Sequence, residues 1–346
     1  MHRATVETTP ARVGPLSKLR QSLLLPTCAG WFLLAGFAHA ADLRIGLIGL
    51  DTSHVTAFTK LLNDETAKGH VPGGKVVAAF KGGSPDIESS RTRVDGFTKE
   101  LAEKYGVKIV PSIEELCGQV DAVLLESVDG RPHLEQARPV ILAGKPIFVD
   151  KPVAGTLRDA ITLFRLAKEH HVPCFSSSSY RYYDSLVELK NTKVGDIRGA
   201  ISYGPSELEP HHPDLFWYGI HTTEALFTIM GTGCETVVRV ATPDTDEVTG
   251  VWSGGRVGTF RGLRHASAPD KVIVFGTKAV AEQKSGGDYE PLVREIIKFF
   301  QTGVAPVSAR ETLEIYAFME AADESKRLGG VPVKISDILK QNGGEQ

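Results

Sequence analysis

Apolar and polar positions fall into two regimes along this chain. From residue 43 onward, short runs rich in β-branched and aliphatic residues recur: LRIGLIG at 43–49, KVVAAF at 75–80, VKIV at 107–110, DAVLL at 121–125 and IFV at 147–149. Between them lie stretches with helical periodicity at 55–62, 97–105 and 134–143. Strand-period runs alternating with helix-period runs predict a parallel sheet with crossover helices. Ser112, with Glu115 three residues on, has the spacing of a capping box and predicts a helix start. Gly144 follows the last periodic residue of its helix, as a C-terminal glycine does. The segment 84–96 is polar and reads as a long loop over the sheet.

Past residue 153 the pattern changes. Helices are predicted over 156–171, 184–190 and 219–230, with short strands at 172–175 and 197–203. Strands then follow at 236–242, 249–253, 256–263 and 271–275, joined by short polar links. Amphipathic helices at 289–302 and 309–328 and an apolar run at 331–335 close the pattern. Strands in succession predict a largely antiparallel sheet with helices on one side and the other face open. The fold class is α/β: an N-terminal doubly wound parallel sheet of the Rossmann type, plus a C-terminal α/β domain with an open, largely antiparallel sheet. The expected divisions are 1–40, 41–153 for the nucleotide-type domain, 154–340 for a substrate domain, and a polar tail at 341–346.

The first forty residues differ in kind. Arg12, Lys18 and Arg20 precede an apolar run at 22–37, and Ala38-His39-Ala40 follows. Charged, apolar and A-x-A segments in that order predict a Sec-type signal peptide cleaved before Ala41, and so a periplasmic or extracellular protein. Pro26 and the short apolar core argue against a permanent membrane span. The remaining cysteines, Cys117, Cys174 and Cys234, are odd in number and widely spaced, which gives neither a disulfide framework nor zinc spacing. A net charge of −3 over 346 residues leaves no basic footprint for nucleic acid.

Candidate chemistry sits at the carboxyl ends of the predicted parallel strands, where open α/β sheets bind ligands. The first strand carries Gly46 and Gly49 and runs into Asp51-Thr52-Ser53-His54 before a helix. This is the strand, turn and helix of a dinucleotide site, but with Asp51 and His54 at the second and third glycine positions of the fingerprint. The Asp51 carboxylate is expected to add bulk and repel phosphate, while Thr52, Ser53 and His54 can contact a ligand. The same turn without a ligand needs only Asp51 or Ser53 as a helix cap. The second strand ends in Lys81 rather than an acid, which suits a 2′-phosphate or no nucleotide at all. Ser127, Asp129 and His133 lie in the loop after the fourth strand. The fifth strand ends abruptly in Asp150-Lys151-Pro152, and Pro152 fixes the backbone from which Lys151 projects.

In the second half, Tyr180 and Arg181 follow four serines and offer the stacking and hydrogen-bonding groups of a carbohydrate site. Trp217 and Tyr218 precede the helix at 219–230, which sets His221 and Glu224 one turn apart. His221 is the natural acid/base, since imidazole titrates near neutrality. The density of His, Glu and Asp over 207–224 could also make a divalent metal site, but Pro210 and Pro213 break the segment, so His211 and His212 hold no helical ligand spacing.

Three segments carry a family likeness. IGLIGLDTSH resembles the N-terminal glycine turn of the Gfo/Idh/MocA oxidoreductases, AGKPIFVDKPVAGT closely resembles their Lys-Pro segment, and GIHTTEALF resembles their histidine helix start. The run FFQTGVAPVSARETLEIYAFMEAADESKRLGG is similar to their closing helices. The resemblance implies a nicotinamide cofactor, NAD or NADP, held beside a sugar or polyol, with Lys151 near nicotinamide and substrate and His221 moving the proton. It adds Asp150 to the cofactor-binding set, and an open sheet face implies a homo-oligomer. Departures are Trp217 in place of an acid one turn before His221, Asp51 in the glycine turn and the missing acid after the second strand. Export away from the cytoplasmic nucleotide pool requires a tightly held cofactor. Two other readings stay open: a non-redox lyase or hydrolase acting on an oxidised glycoside through His221 and Glu224, with or without a metal, and a sugar-binding protein without catalysis.

Overall fold

The computed structural model describes residue 9 and residues 41–265, 269–284 and 286–344. Apart from residue 9, the predicted signal peptide lies outside the described residues. Among the described residues the chain forms two sheets. The first holds β1 (Leu43–Ile48), β2 (Gly74–Phe80), β3 (Lys108–Val110), β4 (Ala122–Leu125), β5 (Ile147–Val149) and β6 (Cys174–Ser176), in the order β3-β2-β1-β4-β5-β6. Every pairing is parallel. The crossovers are α1 (Ser53–Asn63), α2 (Glu88–Arg91) with α3 (Val94–Tyr105), α4 (Ile113–Gln119), α5 (His133–Leu142) and α6 (Leu157–Glu169). The order reverses between β1 and β4, which opens a crevice above their carboxyl ends.

Local chemistry sets these elements as the sequence implied. Ser112 accepts a hydrogen bond from Glu115 N–H at the start of α4, and Thr156 does the same for Asp159 at the start of α6. Two expectations change. The segment 84–96 is not one loop, because Ser90 accepts from Ser84 N–H and donates to Asp51. Those bonds satisfy its polar groups internally and fold it into α2 and the start of α3. The strand at 174–176 belongs to the first sheet, pairing with β5, although the reading from sequence put it beyond the boundary at 153.

The second sheet is built from β7 (Ile197–Pro205), β8 (Cys234–Ala241), β9 (Thr245–Trp252), β10 (Arg256–Leu263), β11 (Lys271–Gly276), β12 (Val280–Glu282) and β13 (Val333–Lys334), in the order β12-β11-β7-β10-β9-β8-β13. Only β7 and β10 pair in parallel among them. The apolar run at 331–335 yields two strand residues, since Ile335 opens a helix. The remaining helices are α7 (Asp184–Lys190), α8 (Gly219–Met230), α9 (Glu290–Thr302), α10 (Ala309–Arg327) and α11 (Ile335–Gln341).

Helix α8 is buried on nearly every side, as a core helix rather than a surface one must be. Phe227 packs against Trp252 and Phe318 at ring-centroid distances of 5.3 and 5.6 Å. Each such buried ring contributes about 1.5–3 kcal/mol, so His221 is carried by a rigid element. Helix α9 returns to the first sheet through Phe299, 4.7 Å from Phe175. That return sets Tyr289, just before α9, against α1: its ring lies 4.8 Å from His54 and 5.6 Å from Phe58. No helix among the described residues is long and apolar enough to cross a membrane.

Candidate active site

The turn after β1 is the floor of the crevice. Gly49 has φ +81°, and a Cβ there would lie 2.0 Å from Ser127 Oγ. Only glycine fits so close an approach with a left-handed backbone. Asp51 does not face the crevice as the sequence reading expected. Its carboxylate is fully buried, accepting from Val128 N–H at 2.8 Å and from the Ser90 hydroxyl at 2.6 Å. Burial pushes that carboxyl above its ordinary range, and its charge points away from any phosphate.

Thr52, itself buried, and the exposed Ser53 line the crevice instead. Thr52 is the N-cap of α1 yet makes no side-chain cap bond, no acid lies in the first turn, and its buried Oγ1 has no hydrogen-bond partner. A helix of 11 residues with a free N-terminus is an anion site in waiting. Arg93 lines the same crevice. The residues present therefore fit the phosphates of a dinucleotide, with Thr52 and Ser53 as donors and Arg93 as the cation. Lys81, which the sequence suggested for that role, is paired with Asp95 at 2.6 Å. Gly46 serves packing: a Cβ there would meet Leu116 at 3.0 Å.

The loop after β4 turns inward. The Ser127 hydroxyl donates to Gln136 at 2.9 Å, and His133 Nε2 donates to the Ser127 carbonyl at 2.9 Å. Burial lowers the His133 pKa and keeps it neutral. Asp129 is fully buried; burial opposes its charge, but hydrogen bonds from His212, Arg131 and Ser84 outweigh that and hold its carboxyl far below the usual range. These three residues brace the loop rather than line the crevice. Glu126, at the end of β4, is fully buried, and burial together with the Asp150 charge pushes its carboxyl well up.

Lys151 follows β5 and enters the crevice, its ammonium 6.0 Å from the centre of the Tyr218 ring. Asp150 is buried behind it with Oδ2 2.6 Å from Nδ1 of His54. Burial opposes the Asp150 charge, yet His54 and Lys151 keep its pKa below the usual value. His221 completes the wall. Its Nδ1 is 2.7 Å from Ser178 Oγ, and its ring lies 5.0 Å from Tyr180 and 5.8 Å from Tyr218. Burial, reinforced by Lys151 and His54, pushes the imidazole well below its ordinary pKa, so it is a neutral base at pH 7. Trp217 also lines the crevice, its ring tilted against His212 with centroids 5.0 Å apart.

Two residues expected to touch substrate stand behind the wall instead. Glu224 accepts from the Ser177 hydroxyl at 2.6 Å, Ser178 N–H at 2.8 Å and Arg181 Nε at 2.8 Å. Arg181 spans Glu224 and Glu311, 2.7 Å away. The pair fixes the serine segment that holds His221. Asp270, absent from the sequence reading, accepts from the Tyr180 hydroxyl and from Thr222 Oγ1 at 3.2 Å, and burial raises its pKa to about 6.

The crevice between these walls has a volume of about 270 Å³. A larger hollow of about 1160 Å³ between α6, α10, α11 and β8 carries none of the candidate site residues. Glu126, Arg93, Ser178 and Tyr289 belong to the site but are not among the site residues that the sequence singles out. Glu126 carried a usable signal, the carboxyl end of a buried parallel strand. Tyr289 carried none, since its place depends on the return of α9.

Residues 43–178 match the family described as an oxidoreductase family with an NAD-binding Rossmann fold. That segment is thus similar to the Gfo/Idh/MocA oxidoreductases. The chain is also 24% identical over 157 residues to an uncharacterized oxidoreductase of Streptococcus pneumoniae, covering 40% of this chain and 42% of the relative. The chain thus spans less than half the length of that curated relative. Likeness in fold reaches further. A probable dehydrogenase from Thermotoga maritima matches 86% of this chain and 100% of its own, with a TM-score of 0.70 and 21% identity. A scyllo-inositol dehydrogenase from Lactobacillus casei, with bound NAD(H) and scyllo-inositol, covers the same shares at a TM-score of 0.68 and 15% identity. The two-sheet fold of those structures is therefore shared over 86% of this chain.

Proposed function

We propose that this protein is an NAD(P)-dependent dehydrogenase of a sugar, sugar derivative or polyol. The observation that carries this reading is the convergence of Lys151, neutral His221 and the uncapped start of α1 on one crevice at the strand ends. Thr52, Ser53 and Arg93 hold the phosphates, and the nicotinamide, when bound, supplies the hydride acceptor. The Lys151 ammonium steadies the alcohol oxygen. His221 takes the hydroxyl proton as the carbon gives up its hydride, so a secondary alcohol becomes a ketone and the imidazole becomes imidazolium. Tyr180, Trp217 and Tyr218 supply faces for a saccharide ring. The crevice volume fits one sugar ring beside a nicotinamide better than a long oligosaccharide.

The reaction is placed outside the cytoplasm, on the strength of the apolar run at 22–37 and Ala38-His39-Ala40. A cofactor retained through many turnovers goes with that location. N-terminal sequencing of exported protein should start at Ala41.

The test is nucleotide occupancy. Purified protein is denatured and released nucleotide is measured, then the stripped protein is titrated with NADH and NADPH. Tight binding of either form supports the reading, and Lys151→Ala or His221→Ala should then abolish turnover while leaving thermal unfolding in place. Absence of binding overturns it. One observation favours a second reading, a non-redox carbon–oxygen lyase: His221 is oriented by the Ser178 hydroxyl rather than by a carboxylate. Turnover of an oxidised glycoside without nucleotide would select it.

A further inference from the structure

Hydride chemistry leaves one cluster at the crevice without a task. We propose that His54, Glu126 and Asp150 form a binding site for a single divalent transition-metal ion. One ligand atom from each lies within 4.8 Å of the others. His54 Nδ1 is 2.6 Å from Asp150 Oδ2 and 3.8 Å from Glu126 Oε2. Both carboxylates are fully buried. Neither oxygen of Glu126 has a hydrogen-bond partner, and Oδ1 of Asp150 has none either.

That deficit is specific to these two acids. Asp51, Asp129 and Glu224 are also buried, and each has donors on both carboxylate oxygens. Buried polar atoms are normally paired, and an unpaired one calls for an explanation. Two buried carboxylates with lone pairs aimed at one imidazole nitrogen form a donor set for a cation. One nitrogen and two carboxylates suit Mn²⁺, Fe²⁺ or Zn²⁺ better than Mg²⁺ or Ca²⁺, which prefer oxygen alone.

The spacing is set by the sheet and needs no rearranged loop. His54 starts α1 directly after β1, Glu126 ends β4 and Asp150 ends β5, and these three strands are neighbours. His54 also lines the crevice, so an ion held by three protein donors has its open coordination positions on the substrate side. The ligand class for those positions is the oxygen of a hydroxyl or carbonyl group.

The test uses the full chain, treated with chelator and free of nucleotide, titrated with MnCl₂ while free Mn²⁺ is read by electron paramagnetic resonance. The expected result is one Mn²⁺ per chain, displaced by Zn²⁺. Glu126→Gln should weaken binding roughly tenfold or more, as loss of a ligand does, with thermal unfolding as the control for folding. His211→Ala removes the exposed imidazole beside Glu209 and Asp86, 2.6 and 3.6 Å away, and should leave binding unchanged. Spin-echo modulation from one nitrogen on the Mn²⁺ that is present in His211→Ala and lost in His54→Ala then reports ligation by His54. No binding at millimolar ion, binding unchanged in Glu126→Gln, binding lost in His211→Ala, or no nitrogen modulation overturns the proposal. Nucleotide is absent throughout, so the outcome is separate from the fate of the dehydrogenase reading.

Discussion

Ser178 holds its hydroxyl oxygen 2.7 Å from Nδ1 of His221. Ser178 is itself held, since its N–H donates to Glu224, which also binds Ser177 and Arg181. The chain of contacts runs from a buried ion pair to the imidazole and fixes the direction of its other nitrogen. One such bond is worth about 1 kcal/mol. Ser178→Ala should therefore lower kcat by about fivefold with little change in KM, measured on whichever sugar the protein turns over. A loss confined to KM would mean that Ser178 touches substrate rather than His221.

His221 also sets a pH dependence. Its folded pKa lies well below the ordinary 6.5, first because of burial. Below pH 6.5 the unfolded chain binds a proton at this position that the folded chain refuses. Stability from this group is thus complete above 6.5 and falls as pH drops toward the folded pKa. Thermal unfolding between pH 7.5 and 5 should show a decline that is shallower in His221→Gln. The acid limb of kcat/KM should lie below pH 6.5, since protonated His221 is no base.

Much of this site was legible because its elements are local. The helix Gly219–Met230 and the strand end at Asp150-Lys151 follow from periodicity and from Pro152, and those two features place His221 and Lys151. Asp51 shows where local reading stops. As a residue type in a glycine turn it reads as a phosphate repeller, and only the tertiary contacts with Ser90 and Val128 turn it inward. Arg93 stands in the polar stretch that reads as a covering loop, whereas Tyr289 reaches the crevice through packing of α9, which no short window contains. Glu126 was visible as a charge at a strand end, but its relation to His54 and Asp150 needed the strand order.

Gly49 and Gly106 separate two costs of a glycine substitution. Both have positive φ, +81° and +67°. A Cβ on Gly106 meets nothing within 4 Å, whereas on Gly49 it lies 2.0 Å from Ser127 Oγ and 2.5 Å from its backbone. Gly106→Ala should cost only the left-handed penalty, about 1–2 kcal/mol. Gly49→Ala must also displace the β4 loop and should cost roughly 3 kcal/mol or more. Equal shifts in chemical denaturation would show that the turn after β1 yields more easily than the geometry allows.

Asp270 titrates in the opposite sense to His221. Burial raises its folded pKa to about 6, from an ordinary 3.8. Between those values the folded chain holds a proton that the unfolded chain has lost, so stability declines as pH rises through that window. Asp270→Asn keeps an acceptor for one of the Tyr180 and Thr222 hydroxyls, offers its NH2 as a donor to the other, and removes the buried charge. Its melting temperature should match or exceed the wild type at pH 7.5, and the advantage should vanish by pH 4. A large loss at pH 7.5 would mean that the charged form is needed to hold Tyr180.

The outer face of the second sheet carries the last prediction. Val251 on β9 pairs directly with Val257 on β10, and the two are 38% and 43% exposed. Their strand neighbours Trp252, Gly250 and Gly258 are buried on the other side, so the alternation turns an apolar pair outward. A solvated antiparallel face is normally polar, and paired valines there are better covered by the same face of a second copy, as two-fold symmetry permits. Sedimentation should show a dimer or larger assembly. Val251→Glu with Val257→Glu should give a monomer whose unfolding temperature falls only by what the lost contact supplied. A wild-type monomer at working concentration would mean that the valine pair is tolerated in water, and the double variant would then change neither mass nor stability.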